Sequence, residues 1–539
     1  MFKDTSTKVL NSVKTKHAID NFAVRKKTQK DLLKEWISER ITHFCNVTSL
    51  HGYIHTINDE YRPFERWLWI ILSILALIIA VVLLWISWNW TSETPTTTVI
   101  ESTNYPTYNL PFPAVTICSM NKISKLAALE IASKMRKPYN ITDEELAYKL
   151  RLLLHFRGSG NASLEEYREV SDIMEMNNEN INYLLERLSP KCSDILERCS
   201  WKGSLQRCDG LFQAVNSSEG TCCSFNNYAF PKSNYDPKML SSIPQRARRV
   251  TACGYQTGLT ILLKSFKTDY FGTEIAADGF RIMIHNAYDY ADPNSVVKLV
   301  AAKTEAFLSV KPESTYSTED VYDLPPDIRN CFQYNERGMD TFRQYSYVNC
   351  MAECRSAMIN DLCGCVPFNF PSNGSYTKCK MTDLQCVRKN KDRYAGSTFQ
   401  FKNDSSEASR LMRDKCHCLP DCTFFTYPSE ISTGTLNRDF SYNSLSFFKD
   451  TNLTDESLVH VFFNDLIATH YRKNMYQNWL SVLANFGGIL GLFLGFSLVT
   501  GFELIYFFTI RTLFDKLAVK IEMRNKKKKQ SEDEHKIMK

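Results

Sequence analysis

The sequence predicts an α+β membrane protein in which two transmembrane helices flank a large, disulfide-rich extracellular domain. Two apolar segments, one near each end of the chain, predict the helices. The cysteines predict the domain, because 17 of the 18 lie between Cys118 and Cys422 and such a concentration is typical of an oxidised compartment. The net charge of +6 is too small to favour a nucleic-acid-binding protein.

The first apolar segment runs from Trp67 to Trp88 and holds 22 residues without a charge. A helix of this length extends about 33 Å, which is enough to cross a bilayer core of roughly 30 Å. The segment is apolar on every face and has tryptophan at both ends, which favours a membrane span over a buried core helix. It starts too late and is too long for a cleavable signal peptide.

The second apolar segment, from about Trp479 to Phe508, differs in kind because it carries glycines at intervals of four and several polar groups. The glycines that share one helix face are Gly487, Gly491 and Gly495. The polar residues are Asn485, Ser497, Thr500 and Glu503. Polar groups inside a span usually face a cavity or a partner. The segment therefore favours a pore-lining helix, and a packing helix with a row of small residues is the alternative.

Basic residues precede the first span and follow the second, which indicates that both termini are cytoplasmic. The predicted regions are a cytoplasmic N-terminal region (1–66), a first span (67–88), an extracellular domain (89–478), a second span (479–508) and a cytoplasmic basic tail (509–539). The location is then the plasma membrane, with the chain crossing it twice. Six glycosylation sequons fall in the extracellular part: Asn140, Asn161, Asn216, Asn373, Asn403 and Asn452.

The extracellular part has a helical pattern over 122–190 and a strand pattern over 250–309. Ten cysteines follow within 331–422, and a further strand is expected over 462–471, leading back to the membrane. Zinc ligation by these cysteines is disfavoured, because disulfides are the usual state outside the cell. The sequence contains no HExxH, GxSxG or Walker A motif, so we expect neither an enzyme nor a cofactor.

Five segments together resemble the degenerin/epithelial sodium channel family, from about residue 45 to 510, and are most similar to its insect pickpocket branch. They are Leu50-His51-Gly52, Phe112-Pro-Ala-Val-Thr-Ile-Cys118, Gly220-Thr-Cys-Cys-Ser-Phe-Asn226, Cys416-His-Cys-Leu-Pro-Asp-Cys422 and Gly487-Gly-Ile-Leu-Gly-Leu-Phe-Leu-Gly-Phe-Ser497. The resemblance implies a homo- or heterotrimer with related subunits, whose extracellular domain has a β-strand palm and a helical finger and thumb. It implies a non-voltage-gated, amiloride-sensitive channel for passive Na⁺ transport in sensory or epithelial cells.

The resemblance also assigns roles to individual residues. It implies a selectivity filter of Gly495, Phe496 and Ser497. It places a gate at Ala484, Asn485, Gly487 and Gly488, a gating loop at His51 and Gly52, and a pore carboxylate at Glu503. Ile328 stands after the paired prolines where acid-sensing relatives carry tryptophan, so the sequence does not favour gating by protons through that route.

Seven disulfides are implied by the same resemblance: Cys118–Cys222, Cys199–Cys208, Cys331–Cys422, Cys350–Cys418, Cys354–Cys416, Cys363–Cys386 and Cys365–Cys379. Cys192, Cys223 and Cys253 remain, and Cys192–Cys223 is the favoured further pair.

Two other functions fit the same topology. An ATP-gated two-span trimer lacks the Gly-x-Ser signature and needs clustered basic residues for triphosphate, which the sequence does not show. A non-conducting surface receptor would not need a glycine-rich, polar second span. No metal and no nucleic acid are expected as ligands; membrane lipid is the expected surrounding.

Overall fold

The structure, a computed structural model, describes residues 29–58, 60–157, 160, 162–229, 246–292, 295–372, 374–394, 416–437, 446–449, 451 and 453–537. The chain forms two compact units. We call Met1–Pro95 with Met475–Lys539 the helical unit, and Thr96–Asn474 the cysteine-rich unit. Asn140 and Asn216 are exposed, whereas four other predicted glycosylation sites lie outside the described residues: Asn161, Asn373, Asn403 and Asn452.

The main helices follow one another in the order α1 (Gln29–Val47), α2 (Tyr53–Ile57), α3 (Pro63–Glu93), α4 (Lys125–Lys134), α5 (Asp143–Leu150), α6 (Leu164–Met176), α7 (Ile181–Leu188), α8 (Tyr347–Cys363), α9 (Leu384–Lys389), α10 (Trp479–Leu494), α11 (Leu498–Ile505) and α12 (Arg511–Ile537). A π-helical turn, Tyr506–Ile510, joins α11 to α12.

The strands are β1 (Thr96–Pro106), β2 (Ala114–Ser119), β3 (Asn121–Ser124), β4 (Leu196–Trp201), β5 (Ser204–Gln206), β6 (Phe212–Ser217), β7 (Gly220–Phe225), β8 (Leu259–Lys264), β9 (Tyr270–Thr273), β10 (Gly279–His285), β11 (Val296–Ala301), β12 (Thr304–Val310), β13 (Glu313–Ser317), β14 (Phe424–Thr426), β15 (Ser429–Thr435), β16 (Glu456–Phe463) and β17 (Ile467–Met475).

Helix α3 contains the whole of the first predicted span and extends beyond it at both ends. It begins at Pro63, whose missing N–H is no loss in the first turn, and Glu65 accepts a hydrogen bond from the backbone N–H of Arg62 at 3.3 Å. Among the described residues, α3 is the one helix that by itself is long and apolar enough to cross a membrane.

The second predicted span, 479–508, is not one continuous helix. It is broken between α10 and α11, and the two sides of the break differ in direction by 72°. The pair is a second candidate span only if both helices are counted together.

Two sheets form a sandwich at the centre of the cysteine-rich unit. One has the order β15-β12-β16-β8-β4-β5 and the other β11-β10-β2-β7-β6. Alternate residues of each strand point to the same face. Ile117 and Ile282 of one sheet and Ile261 and Val459 of the other therefore pack in one fully buried cluster. The strands predicted over 250–309 lie in these two sheets.

The prediction of one strand over 462–471 was wrong in one respect, because the structure divides this segment between two sheets. Strand β16 pairs in parallel with β12 in the six-stranded sheet, and β17 pairs in parallel with β13 in a four-stranded sheet of order β1-β17-β13-β14. Residues 464–466 carry the chain from one sheet to the other. The segment predicted as helical over 122–190 likewise begins with a strand, β3, before α4 to α7.

The helices of the cysteine-rich unit pack around a second apolar cluster, which disulfides staple. Eight disulfides are present: Cys118–Cys222, Cys192–Cys223, Cys199–Cys208, Cys331–Cys422, Cys350–Cys418, Cys354–Cys416, Cys363–Cys386 and Cys365–Cys379. They include every pair that the resemblance implies and the favoured pair of Cys192 with Cys223. Cys45 and Cys253 are free thiols.

The nesting of two disulfides on α8 predicts that their contributions to stability are not additive. After removal of Cys350–Cys418, the remaining pair Cys354–Cys416 still closes a 62-residue separation. Removing one of the two pairs should therefore lower the free energy of unfolding by only about 2–3 kcal/mol, the value for a short loop. Removing both should lower the free energy of unfolding by more than the sum. Thermal unfolding of the four-alanine variant checks this, and the Cys199–Cys208 pair, removed together with either α8 pair, should behave additively.

A buried carboxyl group lies in the turn after β10. The Oδ1 atom of Asp289 is buried and has no hydrogen-bond partner among the described residues. Burial, reinforced by the nearby Asp421 carboxylate, raises the pKa of Asp289 to about 7 despite a hydrogen bond from Ser346. The Asp289 carboxyl group in the folded protein therefore stays protonated across a pH range in which the same group in the unfolded chain loses its proton.

We expect the free energy of unfolding to fall as pH rises from about 4 to about 7, since over this range the unfolded state binds fewer protons at Asp289. Asp289→Asn should remove this loss and stabilise the protein at pH 8 by up to about 4 kcal/mol. Thermal unfolding at several pH values measures the effect. Asp327→Asn, at an exposed carboxylate, is the control; equal pH dependence in both variants would contradict the assignment.

Candidate functional site

The three residues of the predicted filter form the break between α10 and α11. Gly495 has a φ of +65°, a left-handed conformation that favours glycine and ends a helix. Ser497 then caps α11: its Oγ atom accepts a hydrogen bond from the Thr500 backbone N–H at 3.2 Å. Gly495, Phe496 and Ser497 thus have non-helical backbone because glycine ends one helix and serine begins the next.

The predicted gating loop between α1 and α2 lies directly against this break. The backbone N–H of His51 donates to the carbonyl oxygen of Leu494 at 3.0 Å. The His51 ring also packs on the Cα atom of Gly495, so closely that a Cβ atom there would lie 2.6 Å from the ring. Glycine is therefore required at position 495 for two reasons, the left-handed backbone conformation and the close approach of the His51 ring.

Gly52 turns the chain from this loop into α2 with a φ of +82°. A Cβ atom at Gly52 would lie 3.3 Å from the Oγ atom of Ser73 on α3. His55, in the next turn, stacks near Trp69 of α3 with ring centroids 4.6 Å apart. The loop is thus held between the helix break on one side and α3 on the other.

A chain of hydroxyl groups connects the loop to the helix after the break. The Ser49 Oγ atom lies 2.8 Å from Thr500 Oγ1 and donates to Glu503 Oε2 at 3.1 Å. The Ser49 backbone N–H donates to the same oxygen at 3.3 Å, and Thr500 Oγ1 lies 3.1 Å from Ser497 Oγ. Glu503, predicted as a pore carboxylate, is therefore half-buried and bound to the loop.

Sequence reasoning missed Ser49. The only sequence feature that pointed to a role for Ser49 was a hydroxyl group two residues before His51. Thr500 was noted as polar but received no role; the structure shows it fully buried between Ser49 and Ser497.

An aromatic cluster anchors α1 beside the π-helical turn. Phe44, Cys45 and Phe507 are buried together, and the Arg511 guanidinium lies 5.1 Å from the centroid of the Phe507 ring. Burial raises the pKa of the Cys45 thiol, so it remains protonated at neutral pH. The cluster fixes the end of α1 from which the loop departs.

The predicted gate residues lie apart from the loop, on α10. Ala484, Asn485, Gly487 and Gly488 are exposed, and a Cβ atom at Gly487 or Gly488 would meet no atom within 4 Å among the described residues. The opposite face of α10 packs on α3, where the rings of Phe486 and Trp88 lie 6.5 Å apart. Packing among the described residues therefore does not require small residues on the outward face.

Comparison with known proteins identifies a family and several relatives. The family model described as amiloride-sensitive sodium channel matches residues 44–507. Sodium channel protein Nach of Drosophila melanogaster is 25% identical over 482 residues, covering 87% of this chain and 86% of the relative. Pickpocket protein 11 of the same organism is 26% identical, covering 87% and 75%. The bile acid-sensitive ion channel of Mus musculus is 24% identical, covering 86% and 87%.

The contact of Ser49 with Thr500 predicts that cysteines at both positions form a disulfide. Their Oγ atoms lie 2.8 Å apart, so little movement is needed to bring two sulfur atoms together. We expect oxidation of Ser49→Cys/Thr500→Cys to link the peptides that contain them, as read by mass spectrometry after proteolysis. Ser49→Cys/Thr512→Cys is the control, because Thr512 lies more than three turns further along; equal linkage would refute the contact.

Proposed function

The chain belongs to the amiloride-sensitive sodium channel family, and from this premise we propose that it is a subunit of an amiloride-sensitive channel that passes Na⁺ across the plasma membrane. Relatives over most of the chain carry channel names, and the family is one of membrane proteins that assemble from related subunits. The proposal places both termini in the cytoplasm and the cysteine-rich unit outside the cell. The observation that carries it is the helix break at Gly495 to Ser497.

A sodium filter must replace part of the hydration shell of the ion with oxygen atoms held in a narrow ring. Non-helical backbone at membrane depth is tolerated only where it is buried or lines a water-filled space. The break supplies backbone carbonyl groups and the exposed Ser497 side chain. In our proposal three chains contribute one break each, and the His51 loop holds each break in place from the cytoplasmic side.

The gate in this proposal is the outward face of α10. Small residues at Ala484, Gly487 and Gly488 allow three such helices to approach closely when the pore is shut. A Cβ atom at Gly487 or Gly488 would meet no atom within 4 Å among the described residues, and this supports a role in contacts between chains.

Expression in oocytes, alone and together with related subunits, tests the function. We expect an inward current that disappears when external Na⁺ is replaced by a large organic cation and that amiloride blocks. A chain that reaches the surface with all candidate partners and never carries current would overturn the proposal. A current that ATP evokes and amiloride does not block would instead indicate an ATP-gated two-span trimer.

Enlarging the filter residues should change ion selectivity. Gly495→Ala should displace His51, because the new Cβ atom would clash with its ring, and Ser497→Val should remove a small oxygen-bearing group from the ring. We expect a tenfold change in the Na⁺/K⁺ permeability ratio, equivalent to about 1.4 kcal/mol, or loss of current. Reversal potentials measure the ratio. Ser481→Val, at the start of α10, is the control, and unchanged reversal potentials at both filter positions would place the filter elsewhere.

A bulky residue at Ala484 should hold the channel open. Overpacking typically costs about 1–3 kcal/mol, and if the open state has more room this cost falls on the closed state in each of three subunits. We expect Ala484→Phe to give a standing current and to be toxic to its cell. Leu483→Phe, at an exposed position that already carries a large side chain, should gate as the parent does. Surface labelling separates a gating effect from misfolding, and a normally gated surface channel would contradict the assignment.

A further inference from the structure

Tyr322 has a sequence neighbourhood that no other tyrosine between residues 89 and 478 has. The five positions on either side of it, 317–327, hold four acidic residues and no basic residue. Every one of these four carboxylates is exposed: Glu319, Asp320, Asp323 and Asp327. Tyr322 is thus the centre of a short surface segment whose charges are all negative.

The hydroxyl group of Tyr322 lies at the surface, at the end of a single helical turn. This turn, Glu319–Tyr322, follows β13. The Tyr322 Oη atom lies 3.0 Å from Thr423 Oγ1, in a contact that is exposed to solvent. The phenol oxygen can therefore be reached by an enzyme that approaches from the solvent side.

Two cations lie on the inner side of the same segment. The Arg329 guanidinium lies 6.0 Å from the centroid of the Tyr322 ring, and its Nη1 atom donates to the Tyr322 carbonyl oxygen at 2.9 Å. The Lys473 Nζ atom donates to the Arg329 carbonyl oxygen at 2.7 Å. Burial, reinforced by the Arg329 charge, lowers the pKa of Lys473. A negative charge added to the Tyr322 ring would be attracted to Arg329 and would favour the charged form of Lys473.

We propose that Tyr322 is a site of tyrosine O-sulfation. A sulfotransferase transfers the SO₃ group of a phosphoadenosine phosphosulfate donor to Tyr322 Oη. The bond between sulfur and Oη forms, and the bond between sulfur and the phosphate oxygen of the donor breaks. Phosphoadenosine phosphate leaves with the electron pair of that bond, and the phenolic proton passes to a base of the enzyme.

The acidic segment gives such an enzyme a reason to select Tyr322. An enzyme that binds a multiply charged anionic donor needs a cationic cleft, and a cationic cleft attracts a segment that carries only negative charges. The proposal rests on the proposed function, because sulfation requires the cysteine-rich unit to pass through the secretory pathway. The eight disulfides of that unit are typical of this route.

Mass spectrometry of the full chain, purified from insect cells, tests the proposal. We expect the peptide that contains Tyr322 to carry one SO₃ group that is lost on fragmentation, whereas a phosphate group on tyrosine is retained. Growth in chlorate, which blocks synthesis of the donor, should remove this group. Tyr322→Phe should abolish the incorporation of radioactive sulfate into tyrosine.

Tyr334 is the internal control for exposure. Its side chain is 61% exposed, more than that of Tyr322, but the five positions on either side of it hold one acidic residue and two arginines. We expect Tyr334 to stay unmodified in the same sample. Equal modification of both tyrosines would show that exposure alone selects the site and would overturn the assignment to the acidic segment.

A charge variant tests the acidic segment directly. Asp320→Asn/Asp323→Asn keeps the phenol and removes the acidic groups closest to it in sequence, so sulfation of Tyr322 should be largely lost. Glu144→Gln/Glu186→Gln, at two exposed carboxylates elsewhere in the same unit, should leave sulfation unchanged. Full sulfation of the first variant would contradict the proposed selection by charge.

The glycans of the same preparation separate this proposal from the proposed function. An unmodified Tyr322 in a chain whose glycans at Asn140 or Asn216 are fully processed by the Golgi apparatus would overturn sulfation and leave the extracellular placement intact. A chain with free thiols throughout and no glycan would overturn both. Neither readout needs an ion current, so the result is independent of whether the channel conducts.

Discussion

The contact between the His51 ring and the Cα atom of Gly495 is the constraint on which the rest of the helical unit depends. Only glycine permits it, because the backbone there has a positive φ and a Cβ atom would overlap the ring. The contact lets the His51 N–H reach the Leu494 carbonyl at the end of α10. It thereby satisfies a carbonyl that the helix end leaves without an intrahelical partner. A polar loop is in this way stabilised beside a broken helix.

The hydroxyl groups of Ser49, Thr500 and Ser497 extend this contact to Glu503. A carboxylate close to a candidate membrane span needs hydrogen-bond donors, and Ser49 supplies two, its hydroxyl and its backbone N–H. The same hydroxyl reaches Thr500, which touches Ser497 of the predicted filter. A displacement of the loop would therefore change the surroundings of Ser497 and of Glu503 together. The N-terminal region is thus a structural part of the proposed pore.

The cysteine-rich unit is constrained in a different way, because a segment of helices and loops must be held against a sandwich of sheets. The nested disulfides of α8 hold this segment where apolar burial alone would leave long loops open. Strands β16 and β17 link the sandwich to the chain that enters α10, and β1 lies beside β17 in the same sheet. Both chain segments that lead to the candidate spans thus belong to one hydrogen-bonded sheet.

Local sequence determined the features that depend on composition and spacing. An uncharged apolar run fixes α3, alternating apolar residues fix strands such as β8 and β10, and glycine at 495 followed by serine at 497 suffices to end one helix and cap another. The resemblance implied the disulfide pairs, which spacing alone leaves open. Only the tertiary structure decided that Ser49 binds Glu503, that residues 464–466 pass from one sheet to another, and that Thr500 is buried between Ser49 and Ser497. Each of these depends on partners far apart in the chain, and a local pattern does not specify which distant residue will fill the other half of a contact.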